Sequence, residues 1–368
     1  MIKKLHDADY PLIIVVLILL CFGLVMIYSS SAVMIGEKKS SFFYFKKQFM
    51  WTAISVVFFF FFAMLDYRKL QKFITPAVVI TLILLAGVLI FGKEIRGARR
   101  WFVFPFLSFQ PSELAKFIAV FFLADYLDKN KSRLKYFFKG FLPPLVLIGG
   151  IIGLIAVEPD MGIPFIIGLV AIILLFVSGA RFSHMLVTAA LCAPLAVYAF
   201  MSHAFRMERL MAFLDPWKNS QGASYQLVQS IISIGSGGVI GKGPGGAEMS
   251  RVFIPDAHTD FIFAVIGEEF GVWGALMVVL FFCVLLQRGY LISKNARDSF
   301  GTYLAAGITL TIVVQAFFNI AVCTGCVPTK GIPLPFLSYG GSSLLVTLCA
   351  TGVLANISIM GKKVIRLR

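Results

Sequence analysis

About ten long apolar runs constrain this chain more than any other feature; they cover residues 11–31, 48–65, 74–92, 112–125, 141–157, 161–178, 184–200, 260–287, 302–324 and 339–360. A membrane-spanning helix takes roughly 20 apolar residues. Backbone in hydrocarbon must satisfy its own polar groups, which leaves only helices and closed barrels, and runs this long and unbroken read as helices. The expected fold class is therefore an all-α polytopic integral membrane protein with about ten transmembrane helices. The first run is longer than a signal-peptide core and ends at no clean cleavage site, so it reads as a span. Only 14% of residues are charged, where a soluble domain carries about 25%. Residues 1–368 thus read as a single transmembrane domain, with one long external loop, 201–259, between spans seven and eight. A soluble enzyme, a nucleic-acid module and a multi-domain receptor are excluded.

The net charge of +15 reads first as topology. With the N-terminus in the cytoplasm, Arg68, Lys69 and Lys72, the group Lys129 to Lys139, and Arg288, Lys294 and Arg297 all fall inside, as do Lys362 and Lys363. Both termini are then cytoplasmic. A second set works against that rule: Lys93, Arg96, Arg99 and Arg100 in one short external loop, and Arg206, Arg209, Lys218, Lys242 and Arg251 in the long one. These cations either snorkel to lipid headgroups or meet an anionic substrate at the outer leaflet. The long loop is rich in glycine around residues 235–246, without the spacing of a Walker A or dinucleotide fingerprint. Its middle, 225–234, is apolar enough for a re-entrant or interfacial helix.

Ionisable groups inside spans line cavities or form pairs. Glu113 and Lys116 are i,i+3 neighbours, suited to an ion pair, to the wall of a cleft, or to both. Glu158 and Asp160 flank Pro159 at a helix break, where Asp160 is placed to cap span six. Arg181 and Arg288 read as interfacial anchors. The densest constellation is Pro255-Asp-Ala-His-Thr-Asp-Phe-Ile-Phe-Ala-Val-Ile-Gly-Glu-Glu-Phe-Gly271, where Thr259 or Asp260 is placed to cap the helix that follows. Glu269 is about 13 Å further along that helix, so the two carboxylate regions have separate duties. Pro328-Thr-Lys-Gly-Ile-Pro-Leu-Pro-Phe-Leu-Ser-Tyr-Gly-Gly-Ser-Ser343 forms a broken approach to the last span, explained either by close helix packing or by Lys330 and hydroxyls facing diphosphate oxygens. Cys323 and Cys326 form one CxxC, read as a disulfide or as a pair of thiols; zinc would need two further ligands.

These stretches, together with Gly97-Ala-Arg-Arg-Trp101, Gln110-Pro-Ser-Glu-Leu-Ala-Lys-Phe117, Glu158-Pro-Asp-Met-Gly162, Arg209-Leu-Met-Ala-Phe-Leu-Asp-Pro-Trp217, Gly222-Ala-Ser-Tyr-Gln226 and Gln229-Ser-Ile-Ile-Ser-Ile-Gly-Ser-Gly-Gly238, resemble the SEDS family in order along the whole chain. SEDS proteins are polytopic glycosyltransferases of bacterial cell-wall synthesis. The resemblance implies polymerisation of lipid II into glycan strands, with undecaprenyl diphosphate as the leaving group. It implies that Asp260 is the catalytic residue, and that Arg100, Trp101, Glu113, Lys116, Arg209, Gln226, His258, Lys330, Ser338 and Ser342 bind substrate. It implies no protein-held metal, and leaves open whether a divalent cation, Mg or Mn, assists the diphosphate. The implied partners are a class B penicillin-binding protein transpeptidase and other divisome or elongasome membrane proteins, and no nucleic acid. The implied location is the bacterial inner membrane, enriched at the division site.

Asp215-Pro-Trp217 and Pro328-Thr-Lys-Gly331 resemble the division branch, whereas Ile332-Pro-Leu-Pro335 resembles the elongation branch. Asp256 stands where the family usually has Glu, and Ser224 where it usually has Gly. The chemistry fits this resemblance: a sugar 4-hydroxyl is a poor nucleophile and needs one base, while a departing diphosphate needs cations such as Arg100, Arg209 and Lys330. The rival readings are a lipid II flippase, which needs charge along a path through both leaflets, and a non-catalytic scaffold for the transpeptidase.

Overall fold

Each apolar run falls on a helix in the computed structural model, which describes residues 7–31, 41–95, 98–104, 108–158, 162–201, 204–218, 220–222 and 224–366. In chain order these helices are α1 (Tyr10–Ser31), α2 (Ser41–Met64), α3 (Ile74–Phe91), α4 (Pro111–Asn130), α5 (Leu142–Val157), α6 (Gly162–Val177) and α7 (Phe182–Met201). The long loop contributes α8 (Ala204–Leu214), α9 (Tyr225–Ser236) and α10 (Glu248–Phe253), and α11 (Ile262–Lys294), α12 (Ser299–Cys323) and α13 (Gly341–Arg366) complete the chain.

Among the described residues seven helical segments are long and apolar enough to cross a membrane, and α6 and most of α7 are shorter apolar helices. α4 is diluted by Glu113, Lys116, Asp125, Asp128 and Lys129. The chain is a multi-pass membrane protein. Burial separates inner from outer helices: 83% of the apolar window of α13 is enclosed by protein, against 28% for α2. α13 lies along α2, α11 packs on α12 and α1, and α12 also packs on α4 and α6. Apolar surface facing lipid carries no penalty in a bilayer, so the exposed phenylalanines of α2, such as Phe58 and Phe61, are consistent with a lipid-facing wall.

Among the described residues the structure forms strands in one place. Between α3 and α4 the chain forms a small antiparallel sheet in the order β1 (Lys93–Ile95), β2 (Ala98–Val103) and β3 (Ser108–Phe109), with Lys93 opposite Trp101 and Phe102 opposite Phe109. β1 and β3 are too short for alternation to be visible, and six-residue β2, Ala98-Arg-Arg-Trp-Phe-Val103, does not alternate apolar with polar residues.

α11 is broken at Gly271, whose φ of 63° and ψ of −154° lie outside helical space. The carbonyls of Glu268 and Glu269, released by the break, accept from Lys242 N at 3.0 Å and Gly243 N at 2.9 Å, and Val272 N donates to Gly238 O at 3.1 Å. The glycine-rich loop thus supplies the hydrogen bonds that the helix gives up, as irregular backbone in a membrane protein requires. The start of α11 also differs from expectation. Phe261 occupies the N-cap with no side-chain bond, and Thr259 Oγ1 donates instead to Asp256 O at 2.9 Å. Asp256 adopts a φ of 53°, a region that Asp tolerates better than most side chains.

Candidate active site

Asp260 sits immediately before α11, half-buried. Its backbone carbonyl accepts from Asn319 Nδ2 at 2.7 Å, and the same nitrogen donates to Ile332 O at 2.7 Å. One amide on α12 therefore joins the start of α11 to the segment that leads into α13. The consequence is a close approach: a Cβ on Gly331 would lie 2.8 Å from Asp260 Oδ2. Glycine at 331 leaves room for that carboxylate.

The cations arrive from two other regions. Arg209, on α8, donates from Nη1 to Thr329 O at 3.2 Å, two residues from Gly331. Burial, and then the charge of Arg100, pull its pKa below the ordinary guanidinium range, while the Asp260 carboxylate acts in the opposite sense. Arg100, on β2, donates from Nε to Glu158 O at 2.8 Å, which ties the sheet to the end of α5. Arg209 is thus within electrostatic reach of both Arg100 and Asp260, and Lys330 lies on the backbone between Thr329 and Gly331. Guanidiniums near a carboxylate are suited to holding an anionic group close to a base.

Glu113 and Lys116 are 2% and 1% exposed, so both are enclosed within the protein. Lys116 Nζ donates to Glu113 Oε2 at 2.8 Å and to Gln315 Oε1. Gln315 Nε2 donates to Pro333 O at 2.8 Å, and Ser343 Oγ donates to Glu113 Oε2 at 2.8 Å. The pair therefore holds both ends of the approach to α13. Gln315 and Asn319, one helical turn apart on α12, pin the Pro333 and Ile332 carbonyls in succession. Sequence reasoning missed both residues; amides at i,i+4 within an apolar helix were the available signal.

The other expected residues divide between the site and its supports. His258 is buried between the rings of Tyr44 and Tyr339, with centroids 4.6 and 5.3 Å away, and its carbonyl accepts from Tyr339 N. Ser338 Oγ is buried and accepts from Leu334 N at 2.8 Å, closing its own turn. Ser342 Oγ is buried, with no hydrogen-bond partner among the described residues. Trp101 and Gln226 are half-buried on β2 and α9, and among the described residues neither hydrogen-bonds to the Asp260 group. Cys323 and Cys326 are free thiols, the first buried against Asp260 O and the second exposed beside Thr324. Asp160 lies outside the described residues.

Two of the outer cations have internal duties. Lys242 Nζ donates to Glu268 Oε1 at 2.7 Å, and that carboxylate also accepts from Met249 N, Ser250 N and Ser250 Oγ. Arg251 Nη2 donates to Glu269 Oε1 at 2.8 Å and to Ser29 Oγ at 3.0 Å. These bonds fasten the long loop to α11 and α1. Arg288, expected as an interfacial anchor, is paired with Asp9. Among the described residues no three His, Cys, Asp or Glu side chains gather as metal ligands.

Comparison with known proteins places this geometry in context. The family described as "Cell cycle protein" and labelled FTSW_RODA_SPOVE matches residues 10–363. A probable peptidoglycan glycosyltransferase FtsW of Geobacter sp. (strain M18) is 41% identical over 295 residues, covering 80% of each chain. Stage V sporulation protein E of Bacillus subtilis (strain 168) is 37% identical over 279 residues, covering 76% of this chain and 75% of that one. Among solved structures, a chain from work on the structural coordination of polymerization and crosslinking by a peptidoglycan synthase complex superposes with a TM-score of 0.80 at 26% identity, over 95% of this chain and 97% of that one. The rod shape determining protein RodA of Thermus thermophilus superposes with a TM-score of 0.69 at 26% identity, over 95% and 96%.

Proposed function

The chain belongs to the FtsW, RodA and SpoVE family of cell cycle proteins, and from that premise we propose the reaction that its Asp260 site performs. The protein is a peptidoglycan glycosyltransferase that polymerises lipid II. The acceptor's sugar 4-hydroxyl attacks the anomeric carbon of the chain held on undecaprenyl diphosphate. As the new C–O bond forms, Asp260 takes the hydroxyl proton, a contribution of about 10²–10⁴-fold. The anomeric C–O bond to diphosphate breaks, and its electron pair leaves with undecaprenyl diphosphate. Arg100, Arg209 and Lys330 meet that charge. Displacement at one face inverts the centre and converts an α-linked donor into a β-1,4 strand.

The observation that carries this reading is the convergence of Asp260 Oδ2 on Gly331 while Arg209 holds Thr329 O, two residues away in the same segment. It joins a base to cations drawn from distant parts of the chain. The flippase alternative needs charge along a path, whereas Lys116, Glu268 and Glu269 are each engaged by internal partners.

In this reading the chain is a single domain of about ten spans with both termini in the cytoplasm and the Asp260 site at the outer face. It works with a class B transpeptidase, as the similarity to a synthase complex supports, and serves the division branch at the septum. Labelled lipid II, given to the purified protein with its transpeptidase in detergent, should yield long glycan on a gel. Movement of labelled lipid II across vesicles without polymer would replace the polymerase reading by the flippase one.

A further inference from the structure

A cleft of about 1060 Å³ lies at the far end of α4 from Asp260. α4 starts at Pro111 beside the Glu113 network and runs about 30 Å to Asn130; the cleft begins three residues later. It is lined by the cations Arg133, Lys135, Lys139 and Arg181 and by the aromatic side chains of Tyr136 and Phe138. Among the described residues no carboxylate lines it. Among the described residues none of the four cations forms a salt bridge. The nearby acids of α4 are engaged elsewhere: Asp125 by Gln71 and Lys129, and Asp128 by Ser299.

The wall that carries these charges is fixed. Tyr136 N donates to Arg133 O at 2.9 Å, and Tyr126 Oη donates to Gly140 O at 3.0 Å. A Cβ on Gly140 would fall 2.0 Å from Arg133 O, so only glycine lets the turn close and set Arg133 beside Lys139. His184, a further lining residue, is held between Phe137 and Phe141 with ring centroids 5.4 Å away, and its buried Nδ1 has no partner among the described residues. Three like charges on a fixed turn, faced by Arg181 from the start of α7, repel one another and favour an anion.

We propose that this cleft binds the phosphate headgroup of an anionic membrane phospholipid. The aromatic rim favours a lipid over a free phosphate: Tyr136, Phe138 and Phe182 are 65%, 77% and 63% exposed, at the starts of the apolar helices α5 and α7, where aromatic residues belong at a membrane interface. Acyl chains then lie along exposed Val146 and Leu186, while the phosphate enters among the cations. The site is remote from Asp260 and does not depend on the polymerase reading.

The test is native mass spectrometry of the full chain in mild detergent, titrated with phosphatidylglycerol, diphosphatidylglycerol or phosphatidylcholine. The anionic lipids should be retained at least tenfold more tightly than phosphatidylcholine, and retention should weaken with salt. The triple variant Arg133→Ala, Lys139→Ala, Arg181→Ala should lose that preference; its three side chains are exposed, so the protein should remain monodisperse. Lys294→Ala with Arg297→Ala, outside the cleft, should retain lipid like the parent. Equal retention of all three lipids, an undiminished preference in the triple variant, or an equal loss in the control would overturn the site. Inorganic phosphate or pyrophosphate displacing the lipid at matched concentration would overturn its assignment to a lipid.

Discussion

Asn319 donates from one side-chain nitrogen to the Asp260 carbonyl and to the Ile332 carbonyl, each at 2.7 Å. That amide fixes the distance between the proposed base and the segment carrying Lys330. Asn319→Ala leaves both carbonyls without this donor, at about 1–3 kcal/mol for each one left buried and unsatisfied. Asn319→Asp should be no better, since a carboxylate presents acceptors where donors are needed. Both variants should polymerise lipid II at least tenfold more slowly and melt at a lower temperature in detergent; a melting shift with full glycan synthesis would show that the amide supports the fold alone.

Asp260→Asn should behave differently. It changes volume little and leaves the backbone carbonyl, which Asn319 holds, in place. Glycan synthesis should fall by about 10²-fold or more, with expression and melting temperature unchanged. Near-parental strand formation would remove Asp260 from the base role.

Glu113 and Lys116 make a buried pair with outside attachments. Glu113→Gln or Lys116→Met leaves one charge uncompensated, at a cost of about 3–5 kcal/mol, and should reduce the yield of monodisperse protein along with activity. The double exchange Glu113→Lys with Lys116→Glu should restore little. A carboxylate at 116 would face Gln315 Oε1, and turning that amide to donate would withdraw Nε2 from Pro333 O. Full recovery of melting temperature by the exchange would show that the pair acts alone.

The helices were legible because their apolar runs are continuous, and Asp260 was legible because it stands in a dense polar motif at a helix start. The Glu113–Lys116 pair followed from i,i+3 spacing. What the sequence hid was partnership over distance. Gln315 is 199 residues from Lys116 and Asn319 is 59 from Asp260, so their i,i+4 spacing places two amides on one face of α12 without naming the partners they hold. Lys242 and Arg251 looked like candidates for substrate because their carboxylates lie 26 and 18 residues further on; only the break at Gly271 and the fold of the glycine-rich loop bring them together. The small sheet was hidden because β1 and β3 are two or three residues long and β2 does not alternate apolar with polar residues.

Gly331 offers the most selective probe of the site. It has no positive φ among the backbone exceptions, and the atoms that a Cβ would meet belong to the Asp260 carboxylate, Oδ2 at 2.8 Å and Cγ at 3.6 Å. No backbone atom blocks Gly331→Ala, so the added methyl should turn the carboxylate aside at little cost to stability. A displacement near 1 Å costs about 10²-fold when geometry limits the chemistry. The variant should therefore keep its melting temperature and its dependence on lipid II concentration while the maximal rate of glycan formation falls. If that rate stays at the parental value, the position of Asp260 Oδ2 against Gly331 does not govern the reaction; if only the concentration dependence weakens, Gly331 shapes substrate binding and not the base.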